Sequence, residues 1–173
     1  MTLTLRPATP DDLPELGPIE LDADQRYFAF DPVRFRAVAE GDVIPDDVAR
    51  RAIAEGRLDV AEHDGELVGW LFATRVGGEL CLGQVSVRRA AGGQGVGTAL
   101  LRRLLDRARA AGEPSIVLNT ERDLPWTAPW YARHGFEVIP PEAWSDALRE
   151  VSRAQEAAGL DWSRRVHMRL RLV

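Results

Sequence analysis

The chain has 173 residues, 45% of them apolar and 28% charged, which suffices for one core of ordinary size and is marginal for two. With a single cysteine, Cys81, and three histidines it lacks the material for a disulfide framework or a Cys/His zinc site. All 22 basic residues are arginine, which removes the lysine of a Walker loop and that of a pyridoxal enzyme. A net charge of −5, no apolar run near the roughly 20 residues that span a bilayer, and no basic-then-apolar leader set the expectation of one cytoplasmic domain over residues 1–173. That domain is expected to engage neither membrane nor nucleic acid, and to use no metal.

Residues 2–6 alternate, with Leu3 and Leu5 on one face, and read as a strand; Thr9-Pro10-Asp11-Asp12 then supplies an N-cap, a first-turn proline and early acids. The helix that follows is expected to kink or split at Gly17-Pro18, because proline removes a backbone donor and clashes with the preceding turn. Residues 22–41 show no clear period. Pro45-Asp46-Asp47 starts a second helix, Val48, Ala52 and Ile53 keep its spacing, and Gly56 stops it. Residues 58–64 and 66–74 form a hairpin about Asp64-Gly65, Gly77-Gly78 turns the chain again, and residues 79–87 make the third strand of a meander. Val96, Leu100, Leu104 and Ala108 mark a helix over 95–111 that Gly112 ends; its other face, with Arg102, Arg103, Asp106, Arg107 and Arg109, reads as solvated. A strand at 115–119, a short helix at 128–134 closed by Gly135, a strand at 136–139, and a helix through Trp144, Leu148 and Val151 come next. The last strand is expected to bury Val166, Met168, Leu170 and Leu172, with His167, Arg169 and Arg171 pointing outward. Antiparallel strands first and strand-helix-strand units later define a mixed α/β fold, a central, mostly antiparallel sheet flanked by helices.

Four glycines, Gly92, Gly93, Gly95 and Gly97, fall within six residues between the strand ending Val85-Ser86-Val87 and the helix that opens Val96-Gly97-Thr98. Such a junction suits a phosphate. First-turn amides point outward with the positive end of the helix dipole, and glycines let the backbone come close. A dinucleotide fingerprint does not fit: started at Gly93 it places Thr98 where Gly or Ala belongs, and started at Gly95 it places Leu100 there.

On these residues the chain resembles the GNAT superfamily of acyl-CoA-dependent N-acetyltransferases, whose Arg/Gln-x-x-Gly-x-Gly/Ala motif lies between a strand and a helix. Gly95 and Gly97 match, whereas Gly92 stands where Arg or Gln is usual, with Gln94 nearby. Trp130-Tyr131-Ala132-Arg133-His134-Gly135-Phe136 resembles the family's Tyr-x-x-x-Gly-Phe, with Leu124 and Thr127 where Asn and Ala are common. The resemblance implies acetyl-CoA as cosubstrate. It implies binding by Val85, Ser86, Val87, Gly92, Gly93, Gln94, Gly95, Val96, Gly97, Thr98 and Asn119, with Tyr131 protonating the departing thiolate. A phenol suits that role because it is protonated at neutral pH.

The implied reaction is direct attack of a primary amine on the thioester, with the oxyanion held by backbone near Val85. The base stays open. The strand position where some relatives place Glu reads Cys81-Leu82-Gly83-Gln84, leaving Glu79 on the same strand face, or Glu20, Asp22, Asp24, Glu121 or water. Cys81, in an apolar strand pattern, reads as a small buried hydrophobe. The acceptor is a small-molecule amine or a protein or peptide amine, and Tyr27, Phe28 and Phe30 with the nearby acids would suit a cation. Homodimerisation through sheet edges or the C-terminal helix is compatible with the pattern. The alternative is a non-catalytic acyl-CoA-binding or sensory module on the same fold, to which Gly92, the altered helix start and the missing strand Glu point.

Overall fold

The computed structural model describes residues 2–36 and 43–173. Seven strands, β1 (Leu3–Pro7), β2 (Leu58–His63), β3 (Glu66–Val76), β4 (Glu79–Val87), β5 (Ser115–Glu121), β6 (Glu137–Val138) and β7 (Arg165–Arg171), follow the order β1-β2-β3-β4-β5-β7-β6. The helices are α1 (Leu13–Phe30), α2 (Asp46–Ala54), α3 (Val96–Ala110), α4 (Ala128–Arg133) and α5 (Asp146–Ala157). β1 with β2, β2 with β3, β5 with β7 and β6 with β7 pair antiparallel, and β4 with β5 pairs parallel. This is the mixed, mostly antiparallel sheet expected from the sequence. A parallel pair needs a long crossover, which residues 88–114 provide. Internal contacts divide the chain into two compact units, Met1–Ala73 with Gly83–Leu105, and Thr74–Leu82 with Asp106–Val173.

In the first unit, Leu16 and Ile19 of α1, Ala49 and Ala52 of α2, Leu58 and Val60 of β2 and Trp70 of β3 form the core. The split expected at Gly17-Pro18 does not occur: α1 is helical through Pro18 to Phe30. Interior proline costs about 3 kcal/mol, while burying Leu16 and Ile19 returns about 1.5–3 kcal/mol each, so packing outweighs the lost bond. The buried Trp70 indole N–H also donates to the Leu16 carbonyl at 2.9 Å. The stretch without a clear period thus begins as helix, and its residues 37–41 lie outside the described residues. A 3-10 turn, Pro10–Asp12, comes before the α-helix, and the Thr9 N–H donates to Asp12 Oδ2 at 2.7 Å. The Asp64-Gly65 turn takes the positive φ values, 50° and 90°, that a tight hairpin needs. Arg103, read as part of a solvated face, instead donates through Nε to buried Asp59 at 3.0 Å.

In the second unit, Cys81, Val117, Ile139 and Leu148 form a core against which Val76 and Trp144 pack. β5 and β7 pair over their full length, from Ser115 with Arg171 to Glu121 with Arg165. The outward orientation expected for His167 is wrong, since its side chain is 1% exposed. One-sided alternation assumes a solvated face, and here α5 covers it. His167 Nε2 lies 2.9 Å from Ser152 Oγ and 3.0 Å from the Leu148 carbonyl, and the ring packs against Trp144 and Trp162. Burial lowers the imidazole pKa to about 4, with Arg165 adding to the effect and the Leu148 bond opposing it, so the ring stays neutral. Trp144 precedes α5 and is not in it; its indole donates to the Ile139 carbonyl at 2.9 Å, and Ser145 Oγ accepts the Leu148 N–H as N-cap.

Candidate functional site

In the first unit, β4 ends with Val85, Ser86 and Val87, of which Ser86 is buried and receives the Gln84 side-chain amide at 3.1 Å. A 3-10 turn, Arg89–Ala91, leads to Gly92, and Gly93 and Gly95 take φ of +74° and +84°, angles a side chain rarely adopts. Gly93, Gln94 and Gly95 face solvent. The Ala99 N–H closes the first turn of α3 on the Gly95 carbonyl at 2.9 Å. Helix geometry therefore leaves the amides of Val96, Gly97 and Thr98 without an intrahelical acceptor. Val96 and Leu100 are buried beneath, which fixes the direction of the helix start. Gln94 does not extend outward in place of the motif's long side chain, because its amide donates to the Ala90 carbonyl at 2.9 Å and braces the loop.

Helix α1 is fastened to the start of this loop. Arg88 donates to Glu15 at 2.7 Å and to the Leu67 carbonyl at 3.1 Å; Asp22 accepts the Arg89 backbone N–H at 2.7 Å and its Nε at 3.1 Å. One α1 turn beyond Asp22, Arg26 stands against Gly92, where a Cβ would lie 3.1 Å from its Nη2. Sequence reasoning missed Arg26. The signal was the spacing of Glu15, Asp22 and Arg26, seven and four residues apart on one helix face, hidden by the kink or split expected at Gly17-Pro18.

The candidate bases separate by their partners. Burial opposes charge on Asp22, but its bonds from Arg89 hold the carboxyl below its ordinary range. In the second unit Glu79 is likewise opposed by burial, yet two bonds from Arg169 at 2.7 and 3.0 Å and one from Ser115 Oγ at 2.5 Å keep its pKa low. Glu121 accepts Arg165 Nη1 at 2.8 Å. Glu20, 8% exposed, receives only the Ile44 N–H at 2.8 Å among the hydrogen bonds described. Burial, partly offset by that bond and reinforced by Asp24, pushes it to about 7. Burial also raises Asp24 to about 6. Gly83, within the strand stretch without Glu, has its side-chain space filled by the Phe72 ring, 2.7 Å from an added Cβ. Burial, with Glu79 adding to it, pushes the Cys81 thiol up to about 12 and keeps it from acting as a nucleophile.

In the second unit Tyr131 is 7% exposed on α4, with its ring edge-to-face against Trp130 (4.8 Å) and Phe136 (5.7 Å). Leu124 and Thr127, the departures from the family pattern, are both buried and build the helix start. Thr127 Oγ1 donates to the Leu124 carbonyl at 2.8 Å, and the Thr127 carbonyl accepts from Trp130 and Tyr131. Asn119 on β5 accepts Arg165 Nη2 at 2.7 Å through Oδ1. An open concavity of about 630 Å³, lined by Glu79, Glu113, Arg169 and Arg171 among others, contains none of the residues expected to bind the cosubstrate. No helix among the described residues is long and apolar enough to cross a membrane.

The chain matches the acetyltransferase (GNAT) family over residues 19–136 and belongs to it. Its fold is similar to that of PaiA N-acetyltransferase from Thermoplasma acidophilum in complex with coenzyme A (13% identity, TM-score 0.74, 99% of each chain). It is also similar to the ribosomal-protein-S18-alanine N-acetyltransferase from Escherichia coli (18% identity, TM-score 0.67, 99% of this chain and 94% of that one). A GNAT family acetyltransferase from Brucella melitensis in complex with acetyl-CoA shares 28% identity, with a TM-score of 0.57 over 79% of this chain and 83% of that one.

Proposed function

We propose that this protein transfers the acetyl group of acetyl-CoA to a primary amine by direct attack. The observation that supports it most is the glycine loop, whose backbone amides and two positive-φ glycines suit a pyrophosphate. Val85, Ser86 and Val87 receive the pantetheine arm, the segment from Gly92 to Thr98 receives the pyrophosphate, and Asn119 completes the cosubstrate residues. The amine nitrogen bonds to the thioester carbon, a backbone N–H near Val85 holds the oxyanion, and the C–S bond then breaks. Before attack the bound ammonium gives one proton to Glu20, directly or through water; after attack Tyr131 gives its proton to the thiolate and is reprotonated by the second proton that the nitrogen sheds. Support for Glu20 is its position near neutrality, which lets it exist in both protonation states at pH 7, whereas Asp22, Glu79 and Glu121 are committed to arginines. The acceptor is an amine bound as its cation, from a small molecule or a peptide, to which Asp24 offers charge and Tyr27, half-buried on the same helix, an aromatic ring.

Thiol release from acetyl-CoA across a panel of amines and lysine peptides, with no-acceptor and no-enzyme controls, tests the reading. Release above both controls with one acceptor class is expected. Thermal stabilisation by acetyl-CoA without release from any acceptor would favour a binding module. Tyr131→Phe should lower kcat about 100-fold with little change in KM for acetyl-CoA, and unchanged turnover would remove Tyr131 as the acid.

A further inference from the structure

Gly93 and Gly95 are glycine because of their backbone angles, but Gly92 is not: its φ of −64° and ψ of 143° suit any residue. Space is what a side chain at 92 would lack. An added Cβ would stand 3.0 Å from the Arg89 carbonyl oxygen and 3.1 Å from Nη2 of Arg26, closer than ordinary contacts allow without displacement. The bare position therefore admits a guanidinium from α1 to the loop. That arrangement is built, not incidental, because Glu15 and Asp22 on the same face of α1 hold Arg88 and Arg89 at the loop's start and so set the height at which Arg26 arrives. From Gly92 to Thr98 the loop carries no charged side chain, its Gln94 amide is turned back onto Ala90, and the chain has no lysine.

We infer that Arg26 binds the pyrophosphate of the cosubstrate, supplying from α1 the cation that position 92 does not carry. The inference rests on the acetyl-CoA reading of the loop. A guanidinium fork matches two phosphate oxygens at once, and such charge-assisted bonds are roughly twice as strong as neutral ones. Helix α1 and the loop are thus parts of one phosphate site, and Gly92 and Arg26 form a functional exchange of positions. Substituting a long basic side chain at 92 while Arg26 remains should crowd the two groups.

Titration calorimetry of the full chain with coenzyme A and with 3′-dephospho-CoA, together with turnover of S-acetylpantetheine, tests this. Arg26→Ala and Arg26→Gln should weaken both nucleotides about tenfold or more and leave S-acetylpantetheine turnover unchanged, since that thioester has no phosphate. Should the Ala variant fail to fold, the Gln variant, which keeps the side-chain length, serves alone. Equal affinity of the wild type and both Arg26 variants would overturn the inference, as would a parallel loss with S-acetylpantetheine, which would make Arg26 a brace for α1. Failure of the wild type itself to bind coenzyme A would instead overturn the acetyl-CoA reading.

Discussion

Glu20 on α1 and Glu79 at the head of β4 are both glutamates withdrawn from solvent, one in each compact unit, and their acidities move in opposite directions. Burial pushes Glu20 to about 7, against a backbone N–H from Ile44, its one donor among the hydrogen bonds described. Burial opposes the charge on Glu79 too, yet Arg169 and Ser115 outweigh it and hold the carboxyl below its ordinary range. Removal from water alone thus decides nothing about reactivity. The charge of the partners does: a guanidinium beside a carboxylate keeps it ionised, whereas a neutral backbone donor such as that of Ile44 leaves burial in control.

The largest expected effect separates the two. Glu20→Gln should lower kcat/KM by about 100-fold or more and erase an acid limb near pH 7 in the pH–rate profile, whereas Glu79→Gln should leave that limb in place. A retained limb in Glu20→Gln would break the comparison. The next effect is on stability. Because the folded pKa of Glu20 lies above its unfolded value of 4.5, the stabilising contribution of its proton is complete below pH 4.5 and lost as pH rises through about 7. Glu20→Gln should then be near neutral at pH 4.5 and stabilise by up to about 3 kcal/mol at pH 8, read from urea unfolding at both values. Glu79→Ala should destabilise by about 1–2 kcal/mol at pH 7, because Arg169 and Ser115 lose an acceptor in a partly enclosed setting. At the small end, Arg50→Ala, which breaks an i,i+4 pair with Asp46 that is largely solvated on both sides, should leave the unfolding midpoint within error.

The elements that the sequence made legible are those with local causes. Gly93 and Gly95, the Asp64-Gly65 turn, the Gly56 stop and the apolar spacing of α3 all answer to backbone angles or helical period, and the glycine loop stands where the pattern put it. Less legible were the features decided by partners far away in the chain. Gly17-Pro18 reads as a kink or split, and the helix continues through it because Leu16 and Ile19 are buried in a core with Trp70, 50 and more residues later. His167 reads as outward and is covered by Leu148 and Ser152 of α5. Of the candidate site, the loop and Tyr131 were readable from motif spacing, whereas Arg26 depended on a helix continuing past a proline.

By itself the sequence determined the order of strands and helices, the position of the glycine loop and the family, because glycine angles, hydrophobic period and motif spacing are properties of neighbouring residues. Only the tertiary structure decided which acids are neutralised and which is left near pH 7. It also decided that both faces of β7 are covered from Val166 to Met168. Each of these is set by residues brought together across tens of positions, through desolvation and ion pairing that no local pattern encodes.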